Sequence, residues 1–155
     1  MTHEAEYSIS MTIDSKIMNV RLIGLSVRSL CEVTPLDDTT RGQMELCVVE
    51  AATNIIKHAY QNSDQGSIKL QVQIFPDHIV FVFQDQGIPM DESPQTCFTE
   101  LDPDDISTWP DESMKMGVYL IRSIMDETVY EHRNKTNYLT MAKYFRTALD
   151  RLKTD

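Results

Sequence analysis

The sequence predicts an α+β fold, a two-layer α/β sandwich with a mixed, mostly antiparallel sheet and helices on one face. The predicted elements follow the order strand, helix, helix, strand, strand, loop, helix, strand, strand. Strands that are neighbours in sequence favour antiparallel pairing, and helices that do not alternate strictly with strands favour a sheet covered on one face. With 155 residues, 41% of them hydrophobic and 25% charged, the composition indicates one globular domain over residues 1–155.

The chain is predicted to begin with a strand and a helix. Apolar and polar residues alternate over residues 7–13, which indicates a half-buried strand. A helix is expected to start from a cap at Asp14 or Ser15 and to run through Glu32, because the Thr34-Pro35 pair that follows disfavours helix.

A second helix is predicted from a start near residues 37–40 to about Tyr60, followed by an exit loop over residues 62–66. Apolar residues recur in it with helical spacing, so this side is expected to be buried. The stripe comprises Met44, Val48, Ala51, Ile55 and Ala59.

The remaining elements are a hairpin, a helix and two further strands. Two apolar runs, residues 68–74 and 79–83, flank a tight turn and indicate the hairpin. A helix is predicted over Val118–Asp126, and strands over residues 128–131 and 138–145. Residues 146–153 are expected to form a short amphipathic helix.

The charge balance excludes several classes of function. Fourteen basic and 24 acidic residues give a net charge of −10, which repels phosphate backbones and anionic lipid. We therefore expect neither nucleic-acid binding nor membrane association. The sequence has no apolar run long enough to span a bilayer and no signal-like amino terminus, so a cytoplasmic protein is expected. Three cysteines without CxxC spacing predict reduced thiols rather than a metal site or disulfides.

Much of the negative charge lies between Met90 and Ser113. This segment holds eight of the 24 acidic residues, three prolines and no Lys, Arg or His. It is predicted to be a long loop, over about residues 90–115, because proline breaks regular structure. Its composition fits a solvated acidic insert as well as a functional lid.

The second helix carries a polar face. At about 100° per residue, Glu50, Asn54 and Lys57 fall within about 60° of one another, away from the apolar stripe. A carboxylate, an amide and an amine would therefore share one side. A solvated polar face has the same appearance, so this pattern alone does not establish a site.

Two short segments carry further candidate site residues. In Asp85-Gln86-Gly87-Ile88-Pro89, a carboxylate ends an apolar strand, where it could accept a directional hydrogen bond from an amino group such as that of adenine. A capped turn is the simpler interpretation of the pentapeptide. In Met114-Lys115-Met116-Gly117, glycine is expected at a helix amino terminus, where free N–H groups can bind phosphate.

Taken together, three segments resemble the motifs of a known family. VVEAATNIIKHAY (48–60), DQGIP (85–89) and MGVYLIRSIMDE (116–127) are similar to the N box and the two glycine boxes of the Bergerat ATP-binding fold. Within that fold, the chain resembles the anti-sigma-factor serine/threonine kinases over about residues 5–146. The resemblance implies that the acidic loop is an ATP lid.

The resemblance also assigns roles to residues of the second helix. Glu50 matches the catalytic glutamate, the general base that accepts the proton of an attacking hydroxyl. Asn54 matches the asparagine that holds Mg²⁺ against the triphosphate of ATP. Lys57 and His58 occupy positions that can approach the phosphates.

Further roles fall on the two glycine boxes. Asp85 matches the aspartate that reads adenine, Gly87 the glycine that leaves room for the base, and Gly117 the last glycine of the second box. Lys115 stands where the family usually has another glycine, so its side chain would either obstruct the phosphate loop or contact the phosphates. His3, His78 and His132 show no ligand-like spacing, and we assign them no chemistry.

The family resemblance implies a kinase that is also a binding switch. Such a protein phosphorylates a serine or threonine of a STAS-domain antagonist and sequesters a sigma factor or other regulator, as a homodimer. One alternative is a nucleotide-binding interaction module with little or no kinase activity, which Lys115 and the acidic loop suggest and Glu50 argues against. A histidine-kinase catalytic fragment is disfavoured, because no phosphoacceptor helix pair precedes the domain.

Overall fold

A five-stranded sheet forms one layer of the protein. The computed structural model describes residues 4–90 and 112–146, with the backbone alone for residues 112–115. The strands are β1 (Tyr7–Asp14), β2 (Ser67–Ile74), β3 (His78–Asp85), β4 (Glu127–Arg133) and β5 (Thr136–Tyr144). Their order across the sheet is β1-β2-β3-β5-β4, and all four pairings are antiparallel.

Three helices form the second layer. They are α1 (Ile17–Leu30), which continues as a 3-10 turn over Cys31–Val33, α2 (Asp38–Asn54) and α3 (Glu112–Ile124). A π-helical turn, Ile55–Ala59, extends α2. Helix α2 lies between α1 and α3 and contacts both.

The core lies between the sheet and the helices. Alternate residues of β2 and β3 are buried, so one sheet face is covered. The largest fully buried side chains come from both layers: Phe81, Phe83, Ile68, Leu70, Ile79 and Met141 from the sheet, and Ile23, Val27, Met44 and Val48 from the helices. The predicted two-layer α/β fold with helices on one face is confirmed.

The predicted N-cap of the first helix, Asp14 or Ser15, is wrong. Lys16 occupies the N-cap position, with no side-chain hydrogen bond to the helix. The hydroxyl of Ser15 instead donates to the carbonyl of Ser63 at 2.6 Å and accepts from the amide of Gly66 at 2.9 Å. Ser15 is 2% exposed. It therefore ties the β1–α1 junction to the loop between α2 and β2.

The start of the second helix is confirmed. The side chain of Asp37 caps α2 by accepting from the amide of Thr40 at 2.8 Å. Four residues of the predicted apolar stripe are buried and Ala59 is partly buried. The helix runs to Ala59, close to the predicted end near Tyr60, but its last turn is π-helical: the amide of Tyr60 donates to the carbonyl of Ile55, five residues back, at 3.0 Å.

The β2–β3 hairpin forms where the sequence predicts it, and β4 and β5 form a second hairpin. The β2–β3 turn is closed by the amide of Phe75, which donates to the carbonyl of His78 at 2.9 Å. Strands β4 and β5 are each longer than predicted. Asn134 and Lys135 join them with φ angles of 52° and 62°. Two consecutive left-handed residues suit the twist of a tight hairpin.

Helix α3 begins earlier than predicted. It starts at Glu112 rather than Val118, because Met, Lys and Glu are good helix formers and a single glycine does not stop a helix. The predicted 90–115 loop therefore cannot reach beyond residue 111. The acidic residues up to Asp111 and the predicted amphipathic helix beyond Arg146 lie outside the described residues.

Two cysteines are buried in the helical layer. Cys31 and Cys47 are free thiols with no exposed surface, and burial raises the pKa of each thiol to about 12. Cys97 belongs to the part of the chain that is not described. Within the ranges given above, no helix is long and apolar enough to cross a bilayer.

Replacement of Ser15 by alanine is expected to lower the free energy of unfolding by about 1–3 kcal/mol, because it removes the buried hydroxyl that bonds to both Ser63 and Gly66 and leaves the partly buried amide of Gly66 without its acceptor. Urea unfolding of the variant measures this loss. Ser26→Ala is the matched control, since the Ser26 hydroxyl bonds only within α1, to Leu22. Equal stability of the two variants would show that the Ser15 junction contributes little.

Candidate functional site

Asp85 lies at the carboxyl end of β3, in the interior of the protein. Its side chain is 6% exposed, and one oxygen, Oδ1, accepts from the amide of Gly87 at 2.9 Å and from Nδ2 of Asn137 at 2.8 Å. Burial raises the pKa of this carboxyl, while the bonds from Asn137 and Gly87 and the nearby His132 act in the opposite direction. The contacts of the described residues leave Oδ2 available as an acceptor.

Gly87 packs against the end of the π-helical turn. A Cβ added to Gly87 would come within 2.5 Å of the carbonyl oxygen of Ala59, so any side chain here would push the loop away. The next amide, that of Ile88, donates to the same carbonyl at 2.8 Å. Gly87 is therefore required for the close approach of this loop to the helix.

Two tyrosines hold the same loop at its ends. The hydroxyl of Tyr60 donates to the carbonyl of Ser67 at 2.6 Å and accepts from the amide of Gln86 at 3.0 Å. The hydroxyl of Tyr130 accepts from the amide of Met90 at 2.9 Å. Burial is the main cause that raises the pKa of Tyr130. The loop after β3 is thus fixed to the π-helical turn and to β2 and β4.

Glu50 and Asn54 meet Gly117 between α2 and α3. Glu50 and Asn54 lie one helical turn apart, and both point at the bare Cα of Gly117. A Cβ on Gly117 would lie 2.9 Å from Oε2 of Glu50 and 2.9 Å from Nδ2 of Asn54. The structure therefore brings together three of the predicted site residues, and a side chain at position 117 would displace the ends of Glu50 and Asn54 from their present positions.

The predicted place of Gly117 at a helix amino terminus is wrong. Helix α3 begins at Glu112, so Gly117 is inside the helix and the first free N–H groups belong to earlier residues. Those residues include Lys115, whose side chain is outside the description. Its predicted contact with phosphate stays a prediction.

Lys57 and His58 lie in the π-helical turn rather than in α-helix. A π-helix turns through fewer degrees per residue than an α-helix, so the α-helical angle expected for Lys57 relative to Glu50 does not apply. Lys57 is exposed and His58 is partly buried. The same turn ends at Ala59, against Gly87, and so connects the Glu50 end of the site to the Asp85 end.

Asn137 and His132 belong to the site and were missed in the sequence. Asn137 is 1% exposed; besides Asp85, its Nδ2 contacts the carbonyl of Gly87 at 3.1 Å, and its Oδ1 lies 2.7 Å from Nδ1 of His132. One signal was present: Asn137 occupies an inward position of β5, in line with Leu139 and Met141. A polar residue at a buried position on an otherwise apolar strand face usually has a specific hydrogen-bond partner.

The arrangement provides the groups that ATP chemistry uses. Asp85 presents a buried acceptor at one end, and Glu50 and Asn54 present a carboxylate and an amide oxygen at the other. Among the described side chains, no three His, Cys, Asp or Glu residues cluster as a metal site of their own would need. Magnesium bound with a triphosphate needs only one or two protein oxygens, a requirement that this donor set can meet.

The chain is similar in sequence to a known family and to named relatives. The family described as "Histidine kinase-like ATPase domain" matches residues 13–143. "Serine-protein kinase RsbW" of Staphylococcus epidermidis is 32% identical over 133 residues, covering 84% of this chain and 79% of the relative. The protein of the same name from Staphylococcus aureus strain JH9 is 35% identical over 105 residues, covering 66% and 64%.

Solved structures share the fold at low sequence identity. A chain in "The crystal structure of SiaB-SiaC complex from Pseudomonas aeruginosa" superposes with a TM-score of 0.58 at 11% identity, covering 92% of this chain and 90% of that one. A histidine kinase domain from Erythrobacter litoralis gives a TM-score of 0.50 at 15% identity, covering 84% and 60%. These structural matches show the fold. The sequence matches show that the chain belongs to the histidine-kinase-like ATPase family and, within it, to the anti-sigma-factor serine/threonine kinases.

Proposed function

We propose that this chain is a cytoplasmic, ATP-dependent serine/threonine protein kinase that works as a partner switch. It transfers the γ-phosphoryl group of ATP to a STAS-domain antagonist, and it sequesters a sigma factor or another regulator when the antagonist is not engaged. The proposal rests on one observation. Glu50 and Asn54 lie against the Cα of Gly117, and the buried Asp85 lies at the opposite end of the contact between the loop after β3 and the π-helical turn.

Each residue has a role in this reaction. Asp85 accepts a hydrogen bond from the adenine amino group, and Gly87 leaves room for the base. The bond between the γ-phosphorus and the β–γ bridging oxygen breaks as the serine or threonine oxygen bonds to phosphorus, and Glu50 takes the hydroxyl proton. Asn54 would hold Mg²⁺, and the bound ion would neutralise charge on the phosphates. Lys57, His58, Lys115 and Gly117 are assigned to the phosphates.

Phosphorylation then provides the switch. A phosphoserine or phosphothreonine adds about −1.5 to −2 charges where the antagonist faces a kinase of net charge −10. Repulsion between the phosphate and the acidic kinase would release the antagonist. The RsbW relatives, which are named serine-protein kinases, support transfer to a hydroxyl of this kind.

We also propose that the protein acts as a homodimer through α1. Met18, Leu22 and Leu25 lie within about 60° on the helix, and each has an exposed apolar side chain. On the neighbouring edge strand β1, Tyr7 and Ile9 are also exposed. Several exposed apolar side chains on one helix face are typical of an interface between copies of a chain.

The central test of the site is Asp85→Asn. The new amide oxygen can keep the bonds from Gly87 and Asn137, but its NH₂ group would then face the adenine amino group, donor against donor. ATP affinity is expected to fall roughly 10- to 150-fold with the fold intact, the equivalent of about 1.5–3 kcal/mol. Calorimetric titration measures it, with the exposed Asp64→Asn as control. Unchanged affinity in Asp85→Asn would remove Asp85 from the site.

Glu50→Gln is expected to separate ATP binding from phosphoryl transfer. The amide keeps the shape of the side chain but cannot take a proton, so transfer to the antagonist should fall roughly 10²- to 10⁴-fold while ATP still binds. Transfer of labelled phosphate to purified STAS-domain proteins of the same organism is the assay. Glu45→Gln, the same change beside Arg28, is the control. A wild-type chain that binds ATP but transfers nothing would instead support the interaction-module alternative.

Leu22→Glu is expected to convert the dimer to a monomer, because it places a charge in the apolar surface of α1. Light scattering should give about twice 17.8 kDa for the wild-type chain and about 17.8 kDa for the variant. Thr12→Glu adds the same charge on the opposite face of β1 and should remain dimeric. A wild-type mass of one chain, or a dimeric Leu22→Glu, would contradict the proposed interface.

A further inference from the structure

Three polar side chains form one row across β3, β5 and β4. Asp85 is paired with Asn137, and Asn137 with His132, in the register of the sheet. Asn137 bonds to both neighbours, at 2.8 Å to Asp85 and 2.7 Å to His132. The row begins at the buried carboxylate of the site and ends on the edge strand of the sheet.

The contacts fix which way the amide of Asn137 points. Its two near neighbours on one side, Oδ1 of Asp85 and the carbonyl oxygen of Gly87, are both acceptors, so the NH₂ group must face them. The amide oxygen then faces Nδ1 of His132. An oxygen without hydrogen can only accept, so Nδ1 of His132 carries the proton and donates.

Loss of that donor would leave the amide oxygen of Asn137 without its partner, so that only the two acceptors on the NH₂ side hold the side chain. The side chain could then shift as a whole, and the geometry of its bond to the Asp85 carboxylate would change with it. A buried carboxylate follows the donors that satisfy it, so the open oxygen Oδ2 would move as well. His132 on the edge strand therefore controls the orientation of the Asp85 carboxylate without contacting it.

We propose that His132 is a positioning residue for base recognition, which acts through Asn137 to hold the Asp85 carboxylate in the orientation that selects adenine. This inference rests on the proposed ATP-binding function of the site. It concerns the exocyclic amino group of the base, the only part of the nucleotide that Asp85 is proposed to read.

The test compares ATP with purine riboside 5′-triphosphate, which lacks that amino group. The wild-type chain should bind ATP at least 10-fold more tightly than the analogue. His132→Ala should lose about 3- to 10-fold in affinity for ATP and less than 2-fold for the analogue. His132→Gln should recover most of the ATP affinity, because its amide can donate to Asn137. A merely structural role would weaken both nucleotides equally, and that result would overturn the proposal.

Matched variants keep the result interpretable. Arg133→Ala changes the next residue of β4, whose guanidinium lies 4.5 Å over the ring of Tyr138, and should leave both affinities unchanged. Should His132→Ala not fold, His132→Val removes the donor while keeping a residue suited to a strand. Unchanged preference for ATP in a folded variant without the donor overturns the role of His132 alone. A wild-type chain that binds no ATP, or does not distinguish the two nucleotides, contradicts the proposed function itself.

Discussion

The site is organised by the requirement to satisfy one carboxylate buried away from water. Asp85 ends a strand whose inward side chains are all buried, and a charged group in that position is tolerated only when donors surround it. One donor is the amide of Gly87, which makes the chain turn back immediately after β3. The other is the side chain of Asn137, which requires β5 beside β3. The path of the loop and the neighbour of the strand both follow from this requirement.

The π-helical turn joins the two ends of the site. Helix α2 carries Glu50 and Asn54, and its continuation ends in the carbonyl of Ala59, on which the loop after Asp85 rests. Tyr60, the next residue, bonds to both β2 and the loop. One continuous stretch of chain therefore sets the distance between the group proposed to read the base and the groups proposed to act on the phosphates.

Local patterns in the sequence were sufficient for most of the fold. Alternation predicted the strands, and the apolar stripe predicted α2, because these features depend on neighbours in the chain. The bond from Ser15 to Ser63 and the early start of α3 were not predicted, since an equally suitable local alternative existed at each place. The π-helical turn was missed because α-helical spacing describes both kinds of helix almost equally well over five residues.

The same distinction between local and distant features separates the site residues that were predicted from those that were missed. Glu50, Asn54, Asp85, Gly87 and Gly117 lie in motifs that resemble a family, and the structure adds the contacts among them. Asn137 and His132 are more than 40 residues from Asp85 in sequence, and only the pairing of β3 with β5 and of β5 with β4 brings them to it. Such partners follow from strand register, which single residues do not reveal.

The buried thiols bear on how the protein would respond to oxidants. Cys47 lies in the same helix as Glu50 and Asn54, with no exposed surface, and a thiol whose pKa is about 12 is almost entirely protonated at neutral pH. Peroxides and alkylating reagents attack the thiolate, so Cys31 and Cys47 should resist both while the chain is folded. Thiol reactivity at these two positions would therefore report unfolding, and the helix that carries the candidate base would keep its packing during oxidative stress.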